Sequence, residues 1–370
     1  MNIFNFHRAY SIARKEVMHI LRDPFTLTLA LGLPVMLVTF FGYAIDFEVK
    51  DIKLSVSDRD NGPGARRLKE IFSSSGYFSL VDAGAVGPVE MLDSNRAAAA
   101  LFIEPEFSKK VKGGGISSVQ FVLDGSDNSK AAAVAGYLPG IQRAAIRKLA
   151  GGELKEPISV ETRFLYNPEL NSRWFTVPGL AVIIIGLLSI LLTALTVARE
   201  WENGSMELLL STPVRPLEII FGKLAPYGIL VLSGVFFVYL VARIVFGVPF
   251  AGSHLLYLAA CLLFVTAALS QGLVISVLTR QQQVAMQFSM ISGLLPSLLL
   301  SGFIFPVESM PKFFQYFTML LPPRWFMAAA RGIALKGAGL QELAVPFLAL
   351  AILSAGMLGL ALIKFKTDLE

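Results

Sequence analysis

Arg199-Glu-Trp-Glu-Asn-Gly-Ser-Met-Glu207, followed by Leu208-Leu-Leu-Ser-Thr-Pro-Val-Arg-Pro216, lies between two long apolar runs. It is too charged to enter a bilayer and too patterned to be a plain linker. Glu200, Glu202 and Glu207 surround a Gly204-Ser205 step, where the Ser205 hydroxyl is placed to cap a short helix ending near Leu210. Pro213 disfavours helix at Thr212 and so closes it. One or two turns carrying acids and the apolar side chains of Met206, Leu208, Leu209 and Leu210 suit docking onto a second protein. The other reading is a solvated loop whose acids hold its end out of the membrane, since three acids alone are a weak signal.

The flanking runs set the class of the whole chain. Its 370 residues are 54% hydrophobic and 16% charged, whereas a soluble domain is closer to a quarter charged. This is a membrane protein. The net charge of +5 is modest and the basic residues are scattered, which argues against a nucleic-acid partner. Cys261 is the single cysteine, so an internal disulfide and a cysteine metal cluster are excluded. His7, His19 and His254 lie far apart with no HExxH spacing. No catalytic residues, metal or cofactor are expected in this chain.

Residues 1–23 carry Arg8, Arg14, Lys15 and Arg22, while Phe6, Tyr10, Ala13, Val17 and Ile20 recur at helical spacing. That pattern predicts an amphipathic helix on the cytoplasmic membrane surface. Residues 24–45 are free of charge, enough to cross a core of about 30 Å. Gly42-Tyr43-Ala44 faintly resembles a cleavage site, but the apolar run is too long and its lead-in too extended for a signal peptide. An uncleaved anchor is expected.

Residues 46–173 change character. Strands are expected near 52–56, 77–81, 98–103, 119–123 and 158–166, the first and last from alternation of apolar with polar residues. Between them, helices are expected over 63–75 (stopped by Gly76), after Pro88, after Pro105 and over 128–149 (kinked at Pro139). Strands alternating with helices give an α/β domain inserted into the membrane part. From Trp174 onward, charge-free windows recur at 174–198, 224–242, 255–279, 281–307 and 343–363, so that six transmembrane helices are expected in all. Arg243, at the end of its window, reads as an arginine snorkelling to the headgroups rather than a buried ligand.

With the amino terminus inside, inner segments hold Arg8, Arg14, Lys15, Arg22, Arg199, Arg215, Lys223, Arg280, Lys364 and Lys366, and the outer loop 247–254 holds no lysine or arginine. That balance places both termini in the cytoplasm and the α/β domain outside. Lys312, Arg324, Arg331 and Lys336 in 308–342 run against it. Met310–Pro323 and 324–336 read as two short helices, interfacial or re-entrant, with aromatics at headgroup level. They serve either as an anchor or as a gate near Phe305, Pro306, Phe313, Phe314 and Phe317.

The sequence resembles the permease subunit of ABC-2-type exporters, in the branch with a large external domain between the first two spans. The resemblance rests on Asp124-Gly-Ser-Asp127, Tyr166-Asn-Pro-Glu-Leu170, Val177-Pro-Gly-Leu180, Arg199 to Glu207, Thr212-Pro-Val-Arg-Pro216, Gly222-Lys223, Ser301-Gly-Phe-Ile-Phe-Pro306, Ser309-Met-Pro311 and Arg331-Gly332. Together they cover nearly the whole chain in family order. Trp201 departs from the family, where a basic residue is usual, and Ser205 stands where threonine is usual. The resemblance implies that 199–213 is a coupling helix seated on an ABC ATPase subunit, through Arg199, Glu200, Glu202, Gly204, Ser205, Glu207, Leu208 and Leu209. It also implies an external helix pair over 308–336 and pairing with a second permease subunit, with a periplasmic adaptor as a further candidate partner.

Gly222-Lys223 makes no phosphate cradle: Leu217 stands where the first glycine would be, and Leu224 follows the lysine. Any ATP-driven work would then come from a partner, at the cytoplasmic membrane of a bacterium. The cargo classes implied are drugs, lipid-like amphiphiles, ions or polysaccharides, with an amphiphile favoured. An α/β sensing domain on a membrane anchor is the rival, and it leaves six spans and a patterned inner loop without use. An ion-driven carrier would place charged relays inside its spans, where these windows are charge-free.

Overall fold

The computed structural model describes residues 5–44, 52–81, 87–94, 96–113, 117–123, 128–149 and 171–367. The chain divides into one compact unit of residues 1–46 with 164–370, and a second of 47–163.

Helix α1 (Phe6–Arg22) is opened by Asn5, whose side chain accepts the His7 amide at 3.0 Å. Its buried stripe is Ala9, Ile12, Glu16 and Ile20, at spacings that form one face. Phe6, Tyr10 and Val17 stay exposed, leaving a second, outward apolar stripe suited to a membrane surface. Asp23 ends α1 and caps α2 (Pro24–Ala44), accepting the Phe25 and Thr26 amides at 3.1 and 3.3 Å. A π-helical turn over Thr28–Gly32 interrupts α2.

The second unit follows. It contains β1 (Ile52–Asp58), α3 (Pro63–Ser74), β2 (Phe78–Val81), α4 (Pro88–Asp93), β3 (Ala99–Ile103), α5 (Phe107–Lys112), β4 (Val119–Leu123) and α6 (Asn128–Leu149). The strand order is β2-β1-β3-β4, with β1 parallel to both neighbours and β4 antiparallel to β3. Leu54, Leu101 and Ile103 from the sheet meet Leu68, Ile71 and Phe72 of α3 in its core. Gly76, at φ 75°, takes the left-handed turn that a side chain would disfavour. The helix continues through Pro139. The strand expected at 158–166, and Asp124 to Asp127, lie outside the described residues.

The first unit resumes with α7 (Ser172–Glu202), α8 (Ser205–Leu210), α9 (Pro216–Ile244), α10 (His254–Thr279), α11 (Gln282–Leu299), α12 (Lys312–Phe317), α13 (Pro322–Arg331) and α14 (Ala344–Thr367). In α7, 94% of the most apolar window is buried, against 17% for α14. So α7 is the post around which α2, α9, α10, α11 and α13 pack. Small residues let the backbones close up, the usual device where lipid removes the hydrophobic drive. A Cβ on Gly272 would stand 2.2 Å from the Ile190 carbonyl oxygen. Thr193 donates across to the Leu269 carbonyl at 2.9 Å. Ala285, Ser289, Gly293 and Ser297 form the buried edge of α11.

Among the described residues, five helices are long and apolar enough to cross a membrane: Pro24–Ala44, Ser172–Glu202, Pro216–Ile244, His254–Thr279 and Ala344–Phe365. The expected window 281–307 is shorter in fact. Its helix stops at Leu299, and Gly302 at φ 87° turns the chain into an irregular segment. Eighteen residues still reach about 27 Å. The second short helix also begins earlier than expected. Pro322 and Pro323 open α13 instead of closing the helix before them, because proline needs no amide partner in a first turn.

Candidate functional site

Where α7 ends, the chain reverses around a buried set of charges. Lys223 of α9 is 1% exposed and lies 2.9 Å from Glu16 of α1 and 2.7 Å from Glu200 of α7. Lys15 reaches the other Glu200 oxygen at 2.6 Å. Two cations and two anions thus close a neutral cluster that joins three helices. Isolated burial of any one would be costly, and the pairing is what makes it tolerable. A Cβ on Gly222 would meet Ile12 at 2.7 Å and the Ala9 carbonyl oxygen at 2.9 Å, so α1 lies directly on α9 there.

Further hydrogen bonds fasten the rim. Glu218, also 1% exposed, accepts the amides of Asn5 at 2.9 Å and Arg215 at 3.1 Å. Arg8 donates to the Pro213 carbonyl, tying α1 to the linker between α8 and α9. Arg199 lies 3.4 Å from Asp23 and donates to Gln282 at 3.3 Å. Asp23, outside the spans, has its carboxyl held below the usual range by the Thr26 hydroxyl, against a smaller opposing effect of burial. Glu202 accepts the Gln282 amide at 2.8 Å and also its side-chain amide, which makes it the cap of α11. Arg280, in a left-handed conformation at φ 52°, stacks over Trp201 at 4.5 Å.

Helix α8 hangs from this frame. Asn203 caps α7, and Gly204 at φ 68° reverses the chain. The N-cap of α8 is therefore Gly204, and Ser205 is not the capping residue. Its hydroxyl instead donates back to the Glu200 carbonyl at 3.3 Å. Met206 is 2% exposed and plugs into the core, Leu209 packs against it partly buried, and Leu208 is 72% exposed. Glu207 faces solvent.

The eight residues expected to meet a partner thus fall into two sets. Arg199, Glu200, Glu202 and Ser205 make internal bonds, Glu202 while staying exposed, and with them goes the partly buried Leu209; Gly204, Glu207 and Leu208 are on the outside. An acidic docking face made of all three glutamates is not what the fold presents, because Glu200 is buried and Glu202 is a helix cap. The sequence reading counted Lys223 only among the inner-face cations and passed over Glu16. The available signal was a lysine standing between two apolar stretches, next to a glycine.

At the opposite end of the bundle, Phe305, Pro306, Phe313, Phe314 and Phe317 are all exposed. Phe313 and Phe317 stack at 6.3 Å, and Phe313 meets Phe314 edge-on at 5.4 Å. Gln315 donates to the Met310 carbonyl at 2.8 Å, and Arg324 donates to the Gln315 carbonyl at 2.6 Å. The aromatics therefore ride on a polar-braced hairpin. Burial lowers the basicity of Arg324, partly offset by the charge of Glu308.

A family model described as ABC-2 family transporter protein matches residues 24–363. The chain is 31% identical to the Probable multidrug ABC transporter permease YbhS of Escherichia coli (strain K12), over 100% of this chain and 99% of that protein. It is 31% identical to the Probable multidrug ABC transporter permease YbhR of the same organism, over 91% and 92%. Similarity to its Inner membrane transport permease YhhJ is 29% over 99% and 97%.

Proposed function

The chain belongs to the ABC-2 transporter family, and from that membership we propose that it is the membrane permease subunit of an exporter driven by a separate ABC ATPase. It sits in the inner membrane of a bacterium with six spans, α11 being the short one, and both termini face the cytoplasm. The α/β unit of residues 47–163 then lies outside. Two permease subunits pair to enclose the path, and a periplasmic adaptor is a candidate partner for the external unit. The cargo is a drug-like or lipid-like amphiphile, the drug-like class being in keeping with the two relatives described as probable multidrug permeases.

One observation carries this reading. Helix α8 is anchored from within by Met206 while Leu208 projects unpacked beside Glu207. A helix held to the end of α7 by Ser205 and the buried Met206 yet offering an apolar knob outward is built to be pushed by a partner. Motion of α8 would reach α1, α7 and α9 through the Lys223 cluster and α11 through Glu202.

The test is capture of the ATPase. Leu208→Glu should leave membrane insertion and thermal stability near native, because Leu208 contributes little to this chain's own core. It should abolish co-purification of the ATPase and with it ATP-dependent export. Normal capture and export by Leu208→Glu would refute the docking role of α8.

A further inference from the structure

At the end of the bundle opposite α8, Arg331 closes α13 with most of its hydrogen-bonding capacity unused. One Nη donates to the Gly302 carbonyl at 3.0 Å. The other Nη and Nε are sealed from solvent without a hydrogen-bond partner among the described residues. The guanidinium carbon lies 3.7 Å from the centre of the Phe175 ring and 5.7 Å from that of Phe303. Phe175 and Phe303 are themselves near parallel, 11° apart. A Cβ on Gly179 would meet the Phe303 ring first, at 2.3 Å, and the free Nη at 2.9 Å, so glycine makes room for both on α7. Thr176, one turn earlier on α7, is fully buried and its hydroxyl is also unpartnered.

A buried cation without a carboxylate is expensive, and contact with aromatic faces offsets only part of that cost. Burial pushes Arg331 down to about 10, still charged at neutral pH. The Nε and Nη pair is the fork that holds a carboxylate or phosphate through two parallel bonds. Its cover is movable, because Phe175 is 39% exposed.

We propose that Arg331 is the docking cation for the acidic headgroup of an anionic amphiphile, phosphate or carboxylate, which enters by displacing the Phe175 ring while its alkyl part stays in the surrounding lipid. The Thr176 hydroxyl supplies a third donor to the same headgroup. This narrows the cargo class of the permease reading and rests on it.

The experiment measures binding of tritiated dodecyl phosphate to the full chain in nanodiscs of neutral lipid. Unlabelled dodecanoate should compete, dodecylphosphocholine should compete about tenfold less well, and inorganic phosphate should not compete at millimolar concentration. Arg331→Gln should weaken binding about tenfold or more, and Arg331→Lys, which keeps the charge and loses the fork, by less. Phe175→Leu should speed association without weakening binding. Where Arg331→Gln does not accumulate, Arg331→Lys and Phe175→Leu carry the decision.

Native affinity in the Arg331 variants overturns the assignment, and so does equal competition by dodecylphosphocholine. Equal competition by inorganic phosphate overturns the amphiphile. Nanodiscs containing phosphatidylglycerol separate the sources: displacement of the probe assigns the site to membrane lipid, and its retention to a single-chain cargo. A chain that still captures its ATPase but shows no preference for the anionic probe overturns this inference alone.

Discussion

Lys223 and Glu200 meet at 2.7 Å, from two different helices, with the lysine 1% exposed. One contact thus locks the start of α9 to the end of α7 immediately before α8. Removing one partner of such a pair leaves an uncompensated buried charge, at a cost of about 3–5 kcal/mol. A surface carboxylate away from such features is worth about 0.5 kcal/mol or less. Glu200→Gln should therefore lower the thermal midpoint far more than Glu207→Gln, read by thermal unfolding in detergent. Equal midpoints for the two variants would contradict the buried cluster.

Register along α8 offers a second test. One residue inserted between Ser205 and Met206 turns the rest of the helix by about 100°. Met206 would leave its site in the core and Leu208 would no longer point outward. The variant should reach the membrane, lose the ATPase on co-purification and stop exporting. Retention of both activities would show that α8 is a solvated linker.

The orientation is testable by labelling. Ser73 of α3 and Ser211 after α8 are exposed, and the native Cys261 is buried. A cysteine introduced by Ser73→Cys should react with an impermeant thiol reagent added outside intact cells. One introduced by Ser211→Cys should react only once the membrane is opened. The reverse pattern would invert the topology and remove α8 from the ATPase side.

The aromatic hairpin can be stripped with little harm to the core. Phe313, Phe314 and Phe317 are 73%, 41% and 43% exposed, so changing all three to alanine should leave the thermal midpoint and ATPase capture near native. A gate or exit lining predicts altered export rates with that stability kept. A fall in expression with unchanged export per molecule would instead mark them as interfacial anchors.

Much of this protein was legible in the sequence because lipid and the backbone impose simple rules. Charge-free runs of sufficient length must be helical to satisfy their amides, which located α2, α7, α9, α10 and α14 closely. Period-two alternation located β1, short apolar runs between turn residues located β2 to β4, and Gly76 marked a helix stop that takes a left-handed backbone. The resemblance carried by Arg199 to Glu207 gave the family.

What the sequence could not assign was the partner of each charge. Glu200, Glu202 and Glu207 look alike on paper, yet one is buried against Lys223, one caps α11 and one faces water. That difference comes from helices far apart in sequence: Glu16 and Lys223 approach Glu200 only because Gly222 lets α1 lie against α9. Likewise Gly179 reads as a small residue in an apolar run until α13 brings Arg331 onto it. Local chemistry fixes where helices begin and end. The approach of one backbone to another decides which polar groups are paired and which remain open.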